Sequence, residues 1–416
     1  MTLKTKIKNK INYYSKKIGI DLNYFIKGSF WNSLNQLVNV TLGMILSVFL
    51  ARFTTQDVLG NYNFIISIMS MLSIIAMPGL NVSLMKSVSN KKDGVYVRSF
   101  RLSFLWSLIG VPMLLVMGLY YYFESNMVVV GICLLLAAIF FPLFYAPNNW
   151  QYLLQGKKRF DILSKSSIIQ TFIRTLAVIL AVIIGKGSLI PIVIAFLISN
   201  SLFNIFYYYK YKRLVKNDLE DEDWKKTGYK LTFVEFTLIA YDNIDRIFIG
   251  ILLGPAQLAI YVIAVSIINL IRGSFSQIFR VFTPKILEMK KELICYNLKK
   301  FMPWFIISNI GLVILLFIVI PLIITLLYSE KYVESIFYAQ IYLITIPLAF
   351  IMSITNTALI AIRKENALLR IRIIGTIIIL FLYFILIPVF GICGAILSSI
   401  IYYLILDILQ YIYIFK

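Results

Sequence analysis

Histidine is absent from the 416-residue chain. Its absence removes the commonest general base and the commonest metal ligand together. Cysteine is nearly as scarce. Cys133, Cys295 and Cys393 are far apart, lack metal-site spacing, and sit in or beside apolar runs or in a basic loop. No disulfide, metal or cofactor is expected. Charge is also thin: 14% of residues are charged, 60% are apolar, and the mean hydropathy is +0.86. A soluble core needs far less apolar material. Acidic residues are outnumbered 19 to 40, leaving a net charge of +21. A nucleic-acid binder would gather its Lys and Arg on one face or in one basic domain. Here they are spread through nearly every second loop, which argues against nucleic acid as a partner.

What the chain does have is a succession of apolar runs near twenty residues, the length that crosses about 30 Å of hydrocarbon. The runs predict twelve transmembrane helices over residues 30–51, 62–85, 101–123, 127–153, 164–185, 189–209, 231–253, 258–280, 303–327, 337–361, 371–388 and 391–414. The fold class is therefore all-α and integral to the membrane. Residues 1–29 form a basic N-terminal arm whose following apolar run is too long for a signal-peptide core. Its apolar residues recur at threes and fours, so it suits either an amphipathic helix on an anionic surface or a solvated tail.

Lys and Arg near span ends stay on the cytoplasmic side. With the N-terminus inside, the cytoplasmic tail and loops hold 34 of the 40 basic residues. The outer connections hold only Arg52, Lys186 and Lys331. Both termini should be cytoplasmic. The outer connections are too short to fold into a catalytic domain, so no enzyme activity is expected. The longest polar break, near 210–230, separates an N-terminal six-helix lobe, 30–209, from a C-terminal one, 231–416. An offset of 199 residues lays Leu59, Tyr62, Ser67 and Ile68 on Leu258, Tyr261, Ser266 and Ile267, as a duplicated unit would.

A charge at mid-membrane costs roughly 2.5–3.5 kcal/mol on insertion scales, so it faces protein or water. The seventh span carries Glu235, Asp242, Asp245 and Arg246. Glu235, Asp242 and Arg246 share one helix face. Asn32, Asn35, Gln36, Asn39, Gly43 and Ser47 make a milder stripe on the first span. That stripe suits a cavity wall or interhelical glue equally well. Arg174 sits mid-span on a polar face of the fifth helix, and Arg272 lies toward the inner end of the eighth. A guanidinium can grip phosphate with two prongs. Arg272 is equally suited to snorkelling to the inner surface. The candidate substrate-binding residues are Arg174, Asp242, Asp245, Arg246, Arg272, Asn35 and Asn39. Asp407 in the last span is a lone acid without a role.

Ala51-Arg52-Phe53, Gly60-Asn61-Tyr62 through Ser67, and Gly79-Leu80 resemble the start of bacterial polysaccharide-biosynthesis flippases. These belong to the multidrug/oligosaccharidyl-lipid/polysaccharide exporter superfamily. Gln155-Gly156-Lys157-Lys158-Arg159-Phe160 resembles their fourth cytoplasmic junction, and Asn243 through Gly250 with Gly254 and Tyr261 their seventh and eighth helices. The resemblance implies two six-helix lobes around a central cavity in the bacterial inner membrane. It implies undecaprenyl-diphosphate-linked oligosaccharide as substrate, flipped between leaflets for O-antigen or capsule biosynthesis. Membrane lipid, a polysaccharide polymerase and a chain-length regulator are the implied partners. Arg174, Arg246 and Arg272 would serve the diphosphate, while Tyr and Asn would serve the sugars.

Three rivals compete with this reading. A cation-coupled multidrug exporter of the same superfamily would use Asp242 and Asp245, although the first span has no acid and the lumen carries arginines. A major-facilitator transporter lacks its expected loop motif between Lys86 and Arg101. A glycan polymerase or ligase would need a larger outer loop.

Overall fold

The computed structural model describes residues 22–124, 127–287 and 289–416. Most of the basic arm expected over 1–29, as far as residue 21, lies outside the described residues, as do Ser125 and Asn126 of one outer connection. The described chain is helical throughout. Its helices are α1 (Leu22–Phe53), α2 (Gln56–Leu72), α3 (Gly79–Ser89), α4 (Val95–Phe123), α5 (Val128–Tyr145), α6 (Trp150–Gly156), α7 (Phe160–Ile184) and α8 (Leu189–Lys212). The second half adds α9 (Trp224–Leu252), α10 (Pro255–Leu287), α11 (Lys291–Tyr328), α12 (Glu334–Tyr342), α13 (Thr345–Ala361), α14 (Glu365–Phe390) and α15 (Ile392–Phe415).

Eleven stretches among the described residues are long and apolar enough to cross a membrane. The expected seventh span is not in that set. It falls within α9, a continuous helix of 29 residues whose ionisable side chains lower its hydropathy. At about 1.5 Å per residue its length is ample.

Three expected spans are broken rather than continuous. The second bends where Met77 adopts left-handed backbone (φ 56°, ψ 62°) and Pro78 starts α3 anew. Proline disfavours helical geometry in the residue before it, which locates the break. The fourth passes through a 3₁₀ turn at Ala146–Asn149 containing Pro147. The tenth divides at Leu343 and Ile344 between α12 and α13. Pro112 and Pro321, by contrast, sit inside continuous helices. The closely spaced final pair forms two helices, reversed at Gly391, whose φ of 58° suits glycine.

The two halves meet along α2 and α3 of the first and α9 and α10 of the second. Glycine allows main chains to approach here. A Cβ on Gly60 would lie 1.8 Å from the Pro255 carbonyl oxygen, and one on Gly79 would lie 2.1 Å from the Thr232 nitrogen. Thr232 Oγ1 accepts the Gly79 N–H at 3.1 Å, so a side chain of one half caps a helix of the other. At the basic-poor end, Arg52 donates to the Leu326 and Leu327 carbonyls, and Gln56 donates to that of Lys331 at 2.6 Å. These bonds tie the start of the chain to the far end of α11.

The connection between the halves, 213–223, is bound to the first half along its length. Asp93, 1% exposed, receives Lys157 Nζ at 2.5 Å and the Lys216 N–H at 2.9 Å. Asn217 Oδ1 accepts the Asp93 N–H at 3.0 Å, and the Leu219 carbonyl accepts that of Gly94 at 2.9 Å. Lys92 pairs with Asp221 at 3.1 Å and Arg98 with Glu220. Ser83 Oγ then donates to the Trp224 carbonyl at 2.7 Å, seating the first turn of α9.

Candidate functional site

A cavity of about 360 Å³ lies inside the second half. Helix α9 contributes Tyr241, Asp242, Asp245 and Arg246, and α10 contributes Asn269 and Arg272. Tyr342 of α12, Tyr383 of α14 and Ser399 of α15 close it. The i, i+3 and i, i+4 spacings in α9 and α10 aim these residues at one space.

The groups here are held by tyrosines more than by one another. Asp245, 8% exposed, accepts the Tyr261 hydroxyl at 2.6 Å and the Arg246 backbone N–H at 2.8 Å. Arg272 lies over two rings, 5.6 Å from the centre of Tyr342 and 5.3 Å from that of Tyr403. It also donates to the Tyr342 hydroxyl at 3.4 Å and to Thr345 Oγ1 at 3.3 Å. The snorkelling reading of Arg272 is therefore not what the fold shows, because the guanidinium turns inward to an aromatic box. Tyr241 donates to Tyr403 at 2.6 Å, and Tyr383 meets Ser399 at 3.2 Å. Among the described residues no ion pair joins Asp242 to Arg246. The intrahelical pair available at their spacing is not formed. Glu235, on the same face two turns nearer the basic end, is not among the lining residues.

The other three candidates lie in the first half, away from this cavity. Arg174 reaches Asn200 Oδ1 at 3.4 Å and lies 6.0 Å from the centre of the Phe196 ring. Its Nε is buried without a partner. Asn39 donates to Asn35 at 2.8 Å and accepts Thr171 Oγ1 at 2.5 Å. These amides therefore fasten α1 to α7, the glue alternative for this stripe. Asn32, Gln36 and Gly43, on the adjoining edge of the same stripe, remain exposed. A Cβ on Gly43 would meet nothing within 4 Å.

Tyr241, Tyr342, Tyr383, Tyr403, Asn269 and Ser399 were not singled out by the sequence. One signal was available. Membrane tyrosines favour the two interfaces, and these sit within spans. Asn269 also precedes Arg272 by three residues, on its face.

Fold and cavity together describe a multi-pass helical membrane protein whose second half holds a charged, tyrosine-lined space. Residues 25–290, more than half of the chain, match the polysaccharide biosynthesis protein family, and the chain belongs to that family. The fold is similar to a multidrug resistance MATE family transporter in an inward-facing conformation, at 12% identity over 90% of this chain and 94% of that one, with a TM-score of 0.67. It is similar also to the lipid II flippase MurJ in an inward closed conformation, at 14% identity over 92% and 87%, with a TM-score of 0.60. A MOP superfamily transporter from Pyrococcus furiosus, described as having a binding pocket of reverse polarity, matches at 12% identity over 93% and 95%, with a TM-score of 0.61. No curated protein matches the sequence.

Proposed function

We propose that the chain is a flippase for undecaprenyl-diphosphate-linked oligosaccharide, moving repeat units across the bacterial inner membrane by alternating access for surface polysaccharide biosynthesis. One observation carries the reading. Arg246 and Arg272 line a tyrosine-walled cavity without an ion pair to any described acid. Unpaired guanidinium groups suit a diphosphate, and hydroxyl-bearing rings suit a sugar, which offers both apolar faces and hydrogen-bonding edges. Arg174 is a further cation for the substrate on the first half. Exposed Asn32 and Gln36 suit contact with water rather than hydrocarbon, because an amide left unbonded in hydrocarbon costs several kcal/mol. The polyprenyl tail stays in lipid through a lateral gap. Both termini and the 213–223 connection face the cytoplasm.

A second reading has its own support. Asp242 and Asp245 line the same cavity, and carboxylates there suit a cation-coupled exporter.

The double variant Asp242→Asn with Arg246→Gln separates these accounts. If Arg246 grips phosphate, surface glycan is lost although the protein folds and inserts. Normal surface glycan from that variant would exclude the cavity role. A cation exporter instead changes drug accumulation on losing Asp242. Orientation is checked on a cysteine-free background. A cysteine near residue 220 that reacts with an impermeant reagent in intact cells reverses the topology.

A further inference from the structure

Next to the tyrosine cavity, one turn of α9 nearer the basic-rich end, lies a smaller space of about 80 Å³. Four helices face it: α9 with Thr237 and Tyr241, α13 with Asn356, α14 with Arg372 and Thr376, and α15 with Gln410. Thr237 and Tyr241 stand one turn apart, as do Arg372 and Thr376, so each pair presents a single helix face to the space. Tyr241 lines both spaces. Its ring stacks on Tyr402 at 4.8 Å and its hydroxyl donates to Tyr403 at 2.6 Å, which makes it the wall between them.

The smaller space collects hydrogen-bond donors around a positive charge. Arg372 is half-buried and makes no ion pair to any described acid. Glu235, Asp242 and Asp245 of α9 and Asp407 of α15 are not among the lining residues. Over residues 363–372 the sequence sets Arg363, Lys364, Arg370 and Arg372 against Glu365. Gln410 is fully buried; its oxygen accepts Thr355 Oγ1 at 2.6 Å, and its Nε2 is left without a partner. Asn356 Oδ1 is also buried without a partner, and a half-turn of that amide offers its NH₂ to the same space. A guanidinium keeps its charge and turns cations away. Spare N–H groups beside it suit an oxyanion.

Volume decides which oxyanion. At about 30 Å³ per water the space takes roughly two or three waters, or one phosphate-sized group in their place. A sugar ring or an acyl chain is too large. A phosphate inside a diphosphate bridge carries a substituent on each side, so the substrate proposed for the tyrosine cavity does not fit here either. We infer that the Arg372 pocket is a binding site for a terminal phosphate, either free inorganic phosphate or the monoester end of a lipid, held by the Arg372 guanidinium and the Gln410 amide.

Equilibrium dialysis of the purified full-length protein against radiolabelled inorganic phosphate tests this, with saturation giving the number bound per chain. Arg372→Gln should weaken one bound phosphate at least tenfold, the least that loss of a charged hydrogen bond gives. Arg372→Lys should keep part of that binding. Gln410→Leu, close in volume, should weaken the same phosphate about fivefold, as for one neutral hydrogen bond. It also keeps the site testable if Arg372→Gln does not accumulate. Competition by phosphatidic acid, a monoester, assigns the phosphate to a lipid end, and a lack of competition assigns it to the free anion. Three results overturn the inference. The wild type binds no phosphate saturably, which leaves the pocket to water. Binding is unchanged in the Arg372 and Gln410 variants, or Arg272→Gln removes the same phosphate, which places it in the tyrosine cavity. Phosphatidylglycerol, a diester, competes as well as phosphatidic acid, which removes the preference for a terminal group.

Discussion

The two halves of this membrane protein use the same raw material, apolar helices carrying a few polar side chains, in different ways. In the first half the polar groups form a web of neutral bonds. Asn39 joins Asn35 and Thr171, Gln170 donates to Asn204 at 2.9 Å, and Asn149 donates to the Tyr96 carbonyl at 3.0 Å. Among the described residues, Arg174 adds a mid-span charge to that half, reaching Asn200 Oδ1 at 3.4 Å. In the second half two arginines and two aspartates converge on a cavity of about 360 Å³. Polar side chains in the first half thus mainly join helices, whereas those in the second half hold open a space lined by charge. Tyr62 and Tyr261, related by the 199-residue offset, show the same divergence. Tyr62 packs edge-on to Phe196 at 5.9 Å, while Tyr261 donates to Asp245.

The largest expected effect follows from that division. Arg272→Ala should lower surface glycan at least tenfold, about the value of one charged hydrogen bond, with the protein still in the membrane. Arg272→Lys should restore it only in part, since a point charge cannot keep the fork and both ring contacts. Arg174→Ala should reduce it as well. Should Arg174→Ala abolish transport while Arg272→Ala leaves it intact, the first half carries the anion site and the comparison is reversed.

The seam between the halves gives the next effect, read in stability. Gly60→Ala drives a Cβ into the Pro255 carbonyl, a main-chain atom that cannot rotate away. A loss of about 1–3 kcal/mol is expected, the usual cost of overpacking. Gly43→Ala, in open space on the first helix, should be stabilising by up to about 1 kcal/mol, as alanine is over glycine in a helix. Thermal melts of the purified protein compare the two. Equal melting temperatures would mean that the halves do not meet at Gly60.

Much of the scaffold was legible before any coordinate. Span length and loop charge gave the helices, because hydrocarbon thickness and the cost of moving Lys and Arg act on local sequence. The charged face of α9 was legible for the same reason. The cavity's other walls were not. Tyr342, Tyr383 and Ser399 lie on three different helices, and nothing in their own segments records that α9 and α10 bring an arginine to the same space. Nor does local sequence record that Thr232 caps Gly79 across 153 positions. The break before Pro78 was visible as a proline, but whether a membrane proline bends or interrupts a helix depends on what satisfies the freed groups.

Asn39→Leu probes the neutral web. It removes bonds to Asn35 and Thr171, and interhelical bonds in membranes are worth about 0.6–2 kcal/mol. A melting temperature a few degrees lower with transport retained is the expected result. Transport lost at an unchanged melting temperature would move Asn39 from the web to the substrate.

The smallest effect lies where the connection between the halves is clasped to the first. Arg98 and the Trp224 indole N–H hold the Glu220 carboxyl below its ordinary 4.5. A carboxyl with a lowered folded pKa adds stability that is present above its unfolded value and lost as pH falls through the folded one. Wild type should therefore melt slightly above Glu220→Gln at pH 7, and the gap should close once the pH falls through and below 4.5. The gap is small because both partners are exposed, Arg98 by 44% and Glu220 by 41%, and surface pairs of this kind are worth little. Molar salt should close it at pH 7 too, by shortening the screening length to about 3 Å. The buried Asp93–Lys157 pair beside it, with Lys157 20% exposed, should resist that salt. Melts of wild type and Glu220→Gln over pH 7 to 3, at low and high salt, decide the matter. A gap that survives both acid and salt would mean that the charge on Glu220 is not what holds the clasp.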